Sequence, residues 1–401
     1  MKAPLAGIKV VELASFVAVP AAGALLADMG AEVIKVEVPW GEIYRHSTPK
    51  MAGLDHDFAS GPPYQMDNRG KRSLALDLAL PQAQEALRQV IASADIFITN
   101  VLPARLDKYG LNPDELRAKD PKLIVARLSG YGPDGDRAND PAFDYTAFWS
   151  LSGLMDQMHD VGTPPAWMRP GIGDHSAALA MVNGLQGALR LRDQGEDGQI
   201  VDVALQQIGY YINGNDISHA LVTGESLGRH DRSGPRNPLW NQYETKDGRW
   251  LFLVMIESDR YWPLFAKAIG HSELVEDERF NSGFTRFANT QELVAIIDGI
   301  IKERTLDEWT EILNRDRIIW APARTLAEAV RDENANDTGM FVTVKHPELG
   351  EFKTVAPPFR MSGHAMVGDS PAPLLAADTA GVLKEAGVDD ETVALLVAAA
   401  G

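Results

Sequence analysis

Strand-like and helix-like segments alternate over the first 130 residues, and this alternation restricts the possible fold more than any other feature of the sequence. Residues 7–14, 20–30 and 31–37 have the patterns of a strand, a helix and a strand, and together they have the length of one βαβ unit. The alternation continues with strand patterns at 72–78, 94–100 and 122–130 and helical patterns at 81–93 and 113–118. Strands this apolar, separated by helices, are typical of a parallel sheet covered on both faces. The sequence therefore predicts an α/β protein.

The second half of the chain has a different organisation. A strand at 198–205 continues into a helix that ends near residue 221, and the segment 224–238, rich in Gly, Arg and Pro, is typical of a linker. Residues 243–256 predict a β-hairpin with Asp247-Gly248 at its turn. Amphipathic helices are predicted at 259–269, 290–303 and 305–315, strand-like character returns at 343–362, and a helix ends the chain. We therefore expect a second, mixed α/β module of about one hundred residues.

Composition and charge argue against several classes of partner. The chain has 401 residues, which favours two domains. Its 56 acidic and 38 basic residues give a net charge of −18, which argues against nucleic acid and anionic membranes because both require a basic surface. There is no cysteine, so disulfides, thiolate zinc sites and a cysteine nucleophile are excluded. The sequence has no apolar stretch long enough to span a membrane and no secretory signal pattern, so we expect a cytoplasmic protein.

Motifs for common cofactors are missing where this fold would carry them. The first strand-to-helix turn, SFVAVPAAG, has no GxGxxG, which argues against a dinucleotide. The sequence also has no P-loop motif. The nine histidines show no metal-ligand spacing, so no metal site is expected.

Basic residues cluster in the segments that are expected to leave the ends of the strands. They are Arg45, Arg69, Lys71, Arg72, Arg105 and Lys108. Singly, each is typical of a solvated surface charge. In loops that converge at the carboxyl edge of a parallel sheet, they would form a pocket for a phosphorylated ligand. The pattern alone leaves both interpretations open.

Asp174 lies between the turn RPGIG and a long run of small apolar residues. An aspartate in that place is typical of a helix N-cap, whose carboxylate accepts a hydrogen bond from the first turn. His175 would then be the first helical residue. Whether Asp174 only caps the helix or also does chemistry is decided by the rest of the chain.

Six segments, in this order and at these spacings, resemble the class III CoA-transferases, the family of formyl-CoA and carnitine CoA-transferases. They are GAEVIKVE, NRGKRSLALDL, ADIFITNVLPARLDKYGL, LSGYGPDG, GDHSAALAMVNGLQGAL and GQIVDVAL. The resemblance extends over essentially the whole chain and includes NPLWNQYETKDGRW, which is similar to the start of the family's small domain. It places Asp174 at the position of the family's nucleophilic aspartate.

The resemblance implies a Rossmann-like large domain formed by both chain ends, at 1–222 and 329–401, with a smaller α/β domain at 223–328 between them. It also implies a homodimer whose two subunits are threaded through each other as linked rings. Coenzyme A is implied as the ligand of the large domain, with no metal. The residues implied to contact it are Ala18, Arg45, Lys71, Arg72, Asn100, Val101, Arg105, Lys108 and Tyr131.

The activity implied by the resemblance is CoA transfer between an acyl-CoA thioester and a free carboxylic acid. Asp174 would attack the thioester carbonyl, giving a mixed anhydride and then an aspartyl-CoA thioester. Backbone N–H groups at the helix start after Gly173 would stabilise the oxyanion. The small residues expected to let the helix pack tightly are Ala177, Ala178, Gly184 and Gly187. An acyl pocket would be walled by Tyr145, Phe148, Trp149 and Trp167.

Two departures from the family pattern bear on the activity. The Gly-rich loop of formyl-CoA transferases has no counterpart near residues 256–262, which argues against an oxalate-type substrate. The related α-methylacyl-CoA racemases have a histidine where AFDYTAF has Phe143, although Glu257 resembles a racemase glutamate. Racemisation needs a titratable group on both sides of the α-carbon, and Phe143 cannot transfer a proton. Racemisation is therefore the alternative to CoA transfer and not the leading prediction. A CoA-binding protein without turnover is the third possibility.

Overall fold

The computed structural model describes residues 3–46, 60–364, 366 and 368–400. Six strands form its main sheet: β1 (Lys9–Leu13), β2 (Glu32–Glu37), β3 (Arg72–Ala75), β4 (Ile96–Thr99), β5 (Ile124–Ser129) and β6 (Ile200–Ala204). All six are parallel, and their order is β3-β2-β1-β4-β5-β6. This confirms the α/β class, and the order is that of a Rossmann-like sheet.

Neighbouring residues on each strand enter different cores. Val10 belongs to a core with the helices Ala18–Asp28 and Ile172–Asp193, whereas Val11 belongs to a core with the helix Pro81–Ala92. Successive side chains of a strand point to opposite faces, so a sheet covered on both sides buries every position. That requirement explains why the strands are apolar almost without interruption.

The last residues of the chain complete the same domain. Val382, in the helix Thr379–Glu385, and Leu396, in the helix Asp390–Ala400, are buried in the core that contains Val11. The large domain is therefore built from both ends of the chain, as the resemblance implies.

The remaining helices around this sheet are short. They are Pro62–Asn68, Pro103–Lys108, Pro113–Lys119, Leu154–Gln157, Leu205–Ile212 and Gly214–Thr223, with a π-helix at Tyr145–Ser150. The single helix predicted to run from 205 to about 221 is two helices, because Asn213 leaves helical geometry and Gly214 follows it. After the helix Glu333–Asp337, β10 (Phe341–His346) and β11 (Gly350–Val355) pair as an antiparallel hairpin.

A second sheet is antiparallel and has its own core. Its strands are β7 (Trp240–Glu244), β8 (Trp250–Val254) and β9 (Trp320–Pro322), in that order. The helices of this part are Ser258–Ala268, Gly283–Ala288, Thr290–Ile301, Leu306–Arg315 and Leu326–Ala329, with a 3-10 helix at Ser272–Val275. The predicted hairpin turn is confirmed: Gly248 has a φ of 71°, and the Thr245 N–H donates to the Arg249 carbonyl at 2.8 Å.

The described residues divide into two compact units. The first contains the residues up to Asp156, Trp167–Ser226 and the residues from Asn334 onward. The second contains Gln157–Ala166 and Leu227–Glu333. Of the helices that the structure describes, none has the length and apolar character required to cross a bilayer.

Candidate active site

The centre of the large sheet contains a crevice, because the chain leaves β1 toward one edge of the sheet and β4 toward the other. Open parallel sheets bind ligands at such a switch point, outside the carboxyl ends of the strands. Here Asn100, directly after β4, donates from Nδ2 to the Ser15 carbonyl at 2.8 Å. Its Oδ1 accepts from the Ser15 N–H at 3.2 Å. Asn100 therefore fixes the spacing of the two strand ends.

A cleft of about 310 Å³ opens at this crevice. It is lined by Ser15, Asn100, Val101, Leu102, Ala104, Arg105 and Asn139. The structure thus brings together three of the nine residues expected to contact CoA, namely Asn100, Val101 and Arg105. Lys108 is exposed on the last turn of the helix Pro103–Lys108, and Ala18 is buried at the start of the helix Ala18–Asp28. The ring of Tyr131, after β5, lies 3.4 Å from the guanidinium of Arg137.

The other basic residues do not join this cleft as one cluster. Arg72 begins β3 and therefore lies at the amino edge of the sheet, where it pairs with Glu32 and Glu385. Arg45 makes a two-pronged contact with Glu37, at 2.8 and 2.6 Å. The expected convergence of all the basic loops at the carboxyl edge is wrong for Arg72, and the contact of these residues with CoA stays a prediction.

Lys71 belongs to a buried network of charges. Its ammonium lies 2.7 Å from Glu12, which also pairs with Lys35 at 3.1 Å, and Lys35 pairs with Glu42 at 2.6 Å. Burial lowers the pKa of Lys71 to about 8, and the Glu12 carboxylate opposes that decrease. A side chain at Gly23 would collide with Glu12, so glycine makes room for the network.

The helix Ile172–Asp193 begins before the expected position, so the prediction that Asp174 is its N-cap is wrong. Gly171 holds the cap position with a φ of 86°, which favours glycine. Asp174 is the third helical residue, and His175, expected as the first, is the fourth. The capping oxygen comes from Asp144, whose Oδ2 accepts from the Gly171 N–H at 2.9 Å.

Asp144 thus accepts from N–H groups at the helix start, but these are not the N–H groups after Gly173 that the sequence assigns to an oxyanion. Besides that of Gly171, the N–H of Gly173 also faces its carboxylate. Burial raises the pKa of Asp144, and these N–H groups oppose the increase.

Close packing explains two of the glycines in this helix. A Cβ on Gly173 would lie 2.5 Å from the ring of Phe148, and one on Gly184 would lie 2.5 Å from Val201. The prediction that Gly184 lets the helix pack tightly is confirmed. For Gly187 it is wrong, because a Cβ there meets nothing within 4 Å.

The Asp174 carboxylate is the most unusual group of the site. Burial raises its pKa to about 7, the charges of Asp144 and Asp67 add to the increase, and His175 opposes it. His175 is itself held by Asp67, with Nε2 and Oδ1 3.0 Å apart. Burial lowers the pKa of His175, but the bond to Asp67 outweighs it and the pKa is raised. A carboxylate with a pKa near neutrality is more basic than an ordinary one and is weakly solvated, which suits it for nucleophilic attack.

Three residues near Asp174 were not predicted from the sequence. Asp67 and Asp144 flank Asp174, and Tyr44 lies near enough that Asp67 and Asp174 help burial to raise its pKa. Asp144 lies in the stretch AFDYTAF, which carries a family resemblance and could have indicated it. Asp67 and Tyr44 had no such signal.

The structure also describes the two residues that bear on racemisation, Phe143 and Glu257. Phe143 is exposed and meets Phe16 edge to face, with ring centroids 5.3 Å apart. Glu257 belongs to the second unit, where it pairs with Arg260 at 2.9 Å. A phenylalanine has no titratable group, so Phe143 supplies none for proton transfer. Within the part of the chain that the structure describes, no three His, Asp or Glu side chains are arranged to hold a metal ion.

The doubly wound sheet has a cleft at its switch point, and a carboxylate of raised pKa lies on a helix packed against it. These features define the class of the protein as Rossmann-like. Comparison with known proteins makes this specific. The family model of CoA-transferase family III matches residues 5–379. The chain therefore belongs to CoA-transferase family III.

Individual relatives are similar over their full length. The chain is 33% identical to (R)-2-hydroxy-4-methylpentanoate CoA-transferase of Clostridioides difficile, over 97% of each chain. It is also 33% identical to cinnamoyl-CoA:phenyllactate CoA-transferase of Clostridium sporogenes, over 96% of this chain and 94% of the relative. A CAIB/BAIF family protein from Brucella suis has the same fold, with a TM-score of 0.85 at 29% identity, over 96% of this chain and all of that one.

Proposed function

We propose that this CoA-transferase moves CoA from an acyl-CoA thioester to a free carboxylic acid through a covalent intermediate on Asp174. The observation that carries the proposal is the Asp174 carboxylate itself, which stands in the first turn of a helix with a pKa raised to about 7. Carboxyl groups whose pKa is strongly raised are concentrated at functional sites.

The proposed reaction needs no proton transfer. An Asp174 oxygen attacks the thioester carbonyl, and the C–S bond breaks to release CoA thiolate and leave a mixed anhydride. The thiolate then attacks the Asp174 carbonyl, which expels the donor acid as a carboxylate and forms an aspartyl-CoA thioester. The acceptor carboxylate attacks the aspartyl-CoA thioester, which releases CoA thiolate and leaves a second mixed anhydride. The thiolate then attacks the acceptor's acyl carbonyl, giving the new acyl-CoA and free Asp174. Proximity of bound reactants supplies much of the rate.

Neighbouring residues position and tune the nucleophile in this proposal. Asp144 holds the first turn through Gly171, so the direction of Asp174 is fixed. The negative charges of Asp144 and Asp67 keep the Asp174 carboxylate basic, and His175 keeps it partly ionised at neutral pH. The N–H groups of Gly171 and Gly173 donate to Asp144, so the oxyanion donors in this proposal are not these two groups.

CoA is proposed to bind at the cleft between the ends of β1 and β4. Arg105 lines it and is exposed, and Lys108 is exposed three residues along the same short helix. Their cations suit the phosphates of CoA. Replacing Arg105 by alanine should raise the KM for acyl-CoA and leave kcat nearly unchanged, and an unchanged KM would remove Arg105 from the site.

The acids exchanged are proposed to be monocarboxylates with uncharged side chains. The names of the two relatives described above contain a branched 2-hydroxy acid and two aromatic acids. The same type of acid is compatible with the surplus of carboxylates around Asp174.

We also propose the linked-ring homodimer. In its support, the helix Gly214–Thr223 has no buried residue, and Leu221 and Val222 are 82% and 87% exposed. Apolar side chains this exposed mark an interaction surface. A mass of twice 43.7 kDa in solution is expected, and a monomer would refute the dimer.

Chemical trapping tests the covalent step. With an acyl-CoA present, hydroxylamine or borohydride should modify Asp174, and the Asp174→Ala variant should neither react nor transfer CoA. A fully active Asp174→Ala protein would overturn the proposal. Racemisation would instead show exchange of the α-proton with deuterated solvent and no dependence on an acid, and a non-catalytic binder would bind CoA without thioester exchange.

A further inference from the structure

Aromatic side chains from three separate segments lie beside the nucleophile. We call Phe16, Tyr44 and Phe143 the aromatic cluster. The rings of Phe16 and Phe143 meet edge to face at 5.3 Å, and those of Phe16 and Tyr44 are 6.5 Å apart. Phe143 directly precedes Asp144, which binds the first turn of the Asp174 helix, and the Asp174 charge acts on the Tyr44 hydroxyl.

The cluster is not explained by stability. Phe16 has a φ of 65°, a region that costs conformational free energy for a side chain of this size. Phe16 is 37% exposed and Phe143 is 56% exposed, so both keep apolar surface that a ligand could cover. A hydrogen bond holds the strained backbone in place, because the Phe16 N–H donates to the Glu42 carboxylate at 2.6 Å. Glu42 is fixed in turn by buried Lys35.

The charges around Asp174 restrict what can enter. Among the described residues, those that act on it are the carboxylates of Asp144 and Asp67 and the imidazole of His175. That imidazole already faces Asp67. A second carboxylate on a substrate would be repelled here, whereas an uncharged ring would not.

We propose that the aromatic cluster is the acyl subsite, and that it takes the ring of an arylalkanoic monocarboxylic acid, both as CoA thioester and as free acid. The inference rests on the proposed transfer at Asp174. It differs from the acyl pocket expected from the sequence, of which Phe148 and Trp149 are buried in the core. A substrate ring would join the edge-to-face pair as a third ring and cover the exposed surfaces.

Self-exchange tests the subsite without a second acid. Each acyl-CoA is incubated with its own isotope-labelled free acid, and the label entering the thioester is measured by mass spectrometry. The three pairs are 3-phenylpropanoate, hexanoate and succinate. The variants are Phe143→Leu and Phe16→Leu, which keep an apolar side chain without the ring. Phe284→Leu, an equally conservative change of an exposed phenylalanine in the second unit, is the control.

We expect wild-type kcat/KM to be highest for 3-phenylpropanoate and lowest for succinate. Phe143→Leu and Phe16→Leu should lower the value for 3-phenylpropanoate by roughly 2- to 10-fold and change that for hexanoate little. Phe284→Leu should match wild type. Faster exchange of succinate, or an equal loss for all acids in the variants, would overturn the aromatic subsite and leave transfer at Asp174 standing. No exchange with any acid and no adduct on Asp174 would instead refute the proposed function.

Discussion

Replacing Asp174 by asparagine should make the protein more stable at alkaline pH. This is expected only if the folded protein holds the Asp174 carboxylate in a desolvated state. In an acid whose pKa is raised by folding, the folded chain binds more protons than the unfolded chain between the two pKa values. Stability therefore falls as the pH rises through that interval and stays low above it. For Asp174 the interval runs from 3.8 to about 7. Asparagine carries no charge, so the variant escapes this loss.

The size of the effect follows from the same two pKa values. Between pH 5 and pH 8, the ionisation of Asp174 lowers the free energy of unfolding of the wild type by about 3 kcal/mol. The advantage of Asp174→Asn over wild type should grow by that amount over the same pH range. For a large domain this corresponds to roughly 6 °C in Tm.

Thermal scans of wild type and variant at pH 5 and pH 8 measure this difference, with the transition of the large unit as the readout. Asp114→Asn is the matched control, because Asp114 also stands in the first turn of a helix but is exposed. A solvated Asp174 carboxylate would have the same pKa in the folded and unfolded chains, so it predicts no dependence of the Tm difference on pH. A difference in Tm that is the same at both pH values would refute the desolvated carboxylate.

Three further predictions concern activity and stability. The rate of self-exchange should rise about tenfold from pH 6 to pH 8 as Asp174 ionises. Asp144→Asn removes a neighbouring negative charge and should move the midpoint of this pH–rate profile to lower pH. An unmoved midpoint would contradict this. Gly173→Ala should lower both Tm and activity because its Cβ lies 2.5 Å from Phe148, whereas Gly187→Ala has free space and should be neutral or stabilising by up to about 1 kcal/mol; equal Tm values for the two would disprove the close approach. Glu12→Gln leaves Lys71 and Lys35 buried with one carboxylate fewer and should cost about 3–5 kcal/mol in urea unfolding, a loss that exposed Glu196→Gln should not share.

The sheet could be predicted from the sequence because its signals are local. An apolar strand, a helix with Pro near its start and Gly at its end, and the next strand follow each other within thirty residues, and β1, the helix Ala18–Asp28 and β2 appear as expected. The resemblance supplied what such patterns do not contain, namely the return of the chain end to the large domain.

The environment of individual charges could not be predicted, because it depends on residues far apart in the chain. Nothing near Lys71 in the sequence indicates that its ammonium is held by Glu12, on β1, which is separated from β3 by β2. Nothing near Arg72 indicates Glu385, over three hundred residues away. A basic residue at a strand end is equally compatible with a buried ion pair and with a phosphate contact. Arg105, which lines the cleft, and Lys108, on the same short helix, stay exposed and keep the second interpretation open.

The helix start shows how a local rule can fail in a way that bears on chemistry. A carboxylate that capped this helix would accept backbone hydrogen bonds, which stabilise its charge and lower its pKa. Such a carboxylate would be a poor nucleophile, because the bonds that hold it also reduce its basicity. Asp144, from a segment 27 residues before Gly171, takes those bonds instead. The half-burial of Asp174 in the first turn, together with its two negative neighbours, raises its pKa to about 7. Because Asp144 accepts the capping hydrogen bond and Asp174 does not, one helix end can be firmly held and still carry a basic carboxylate.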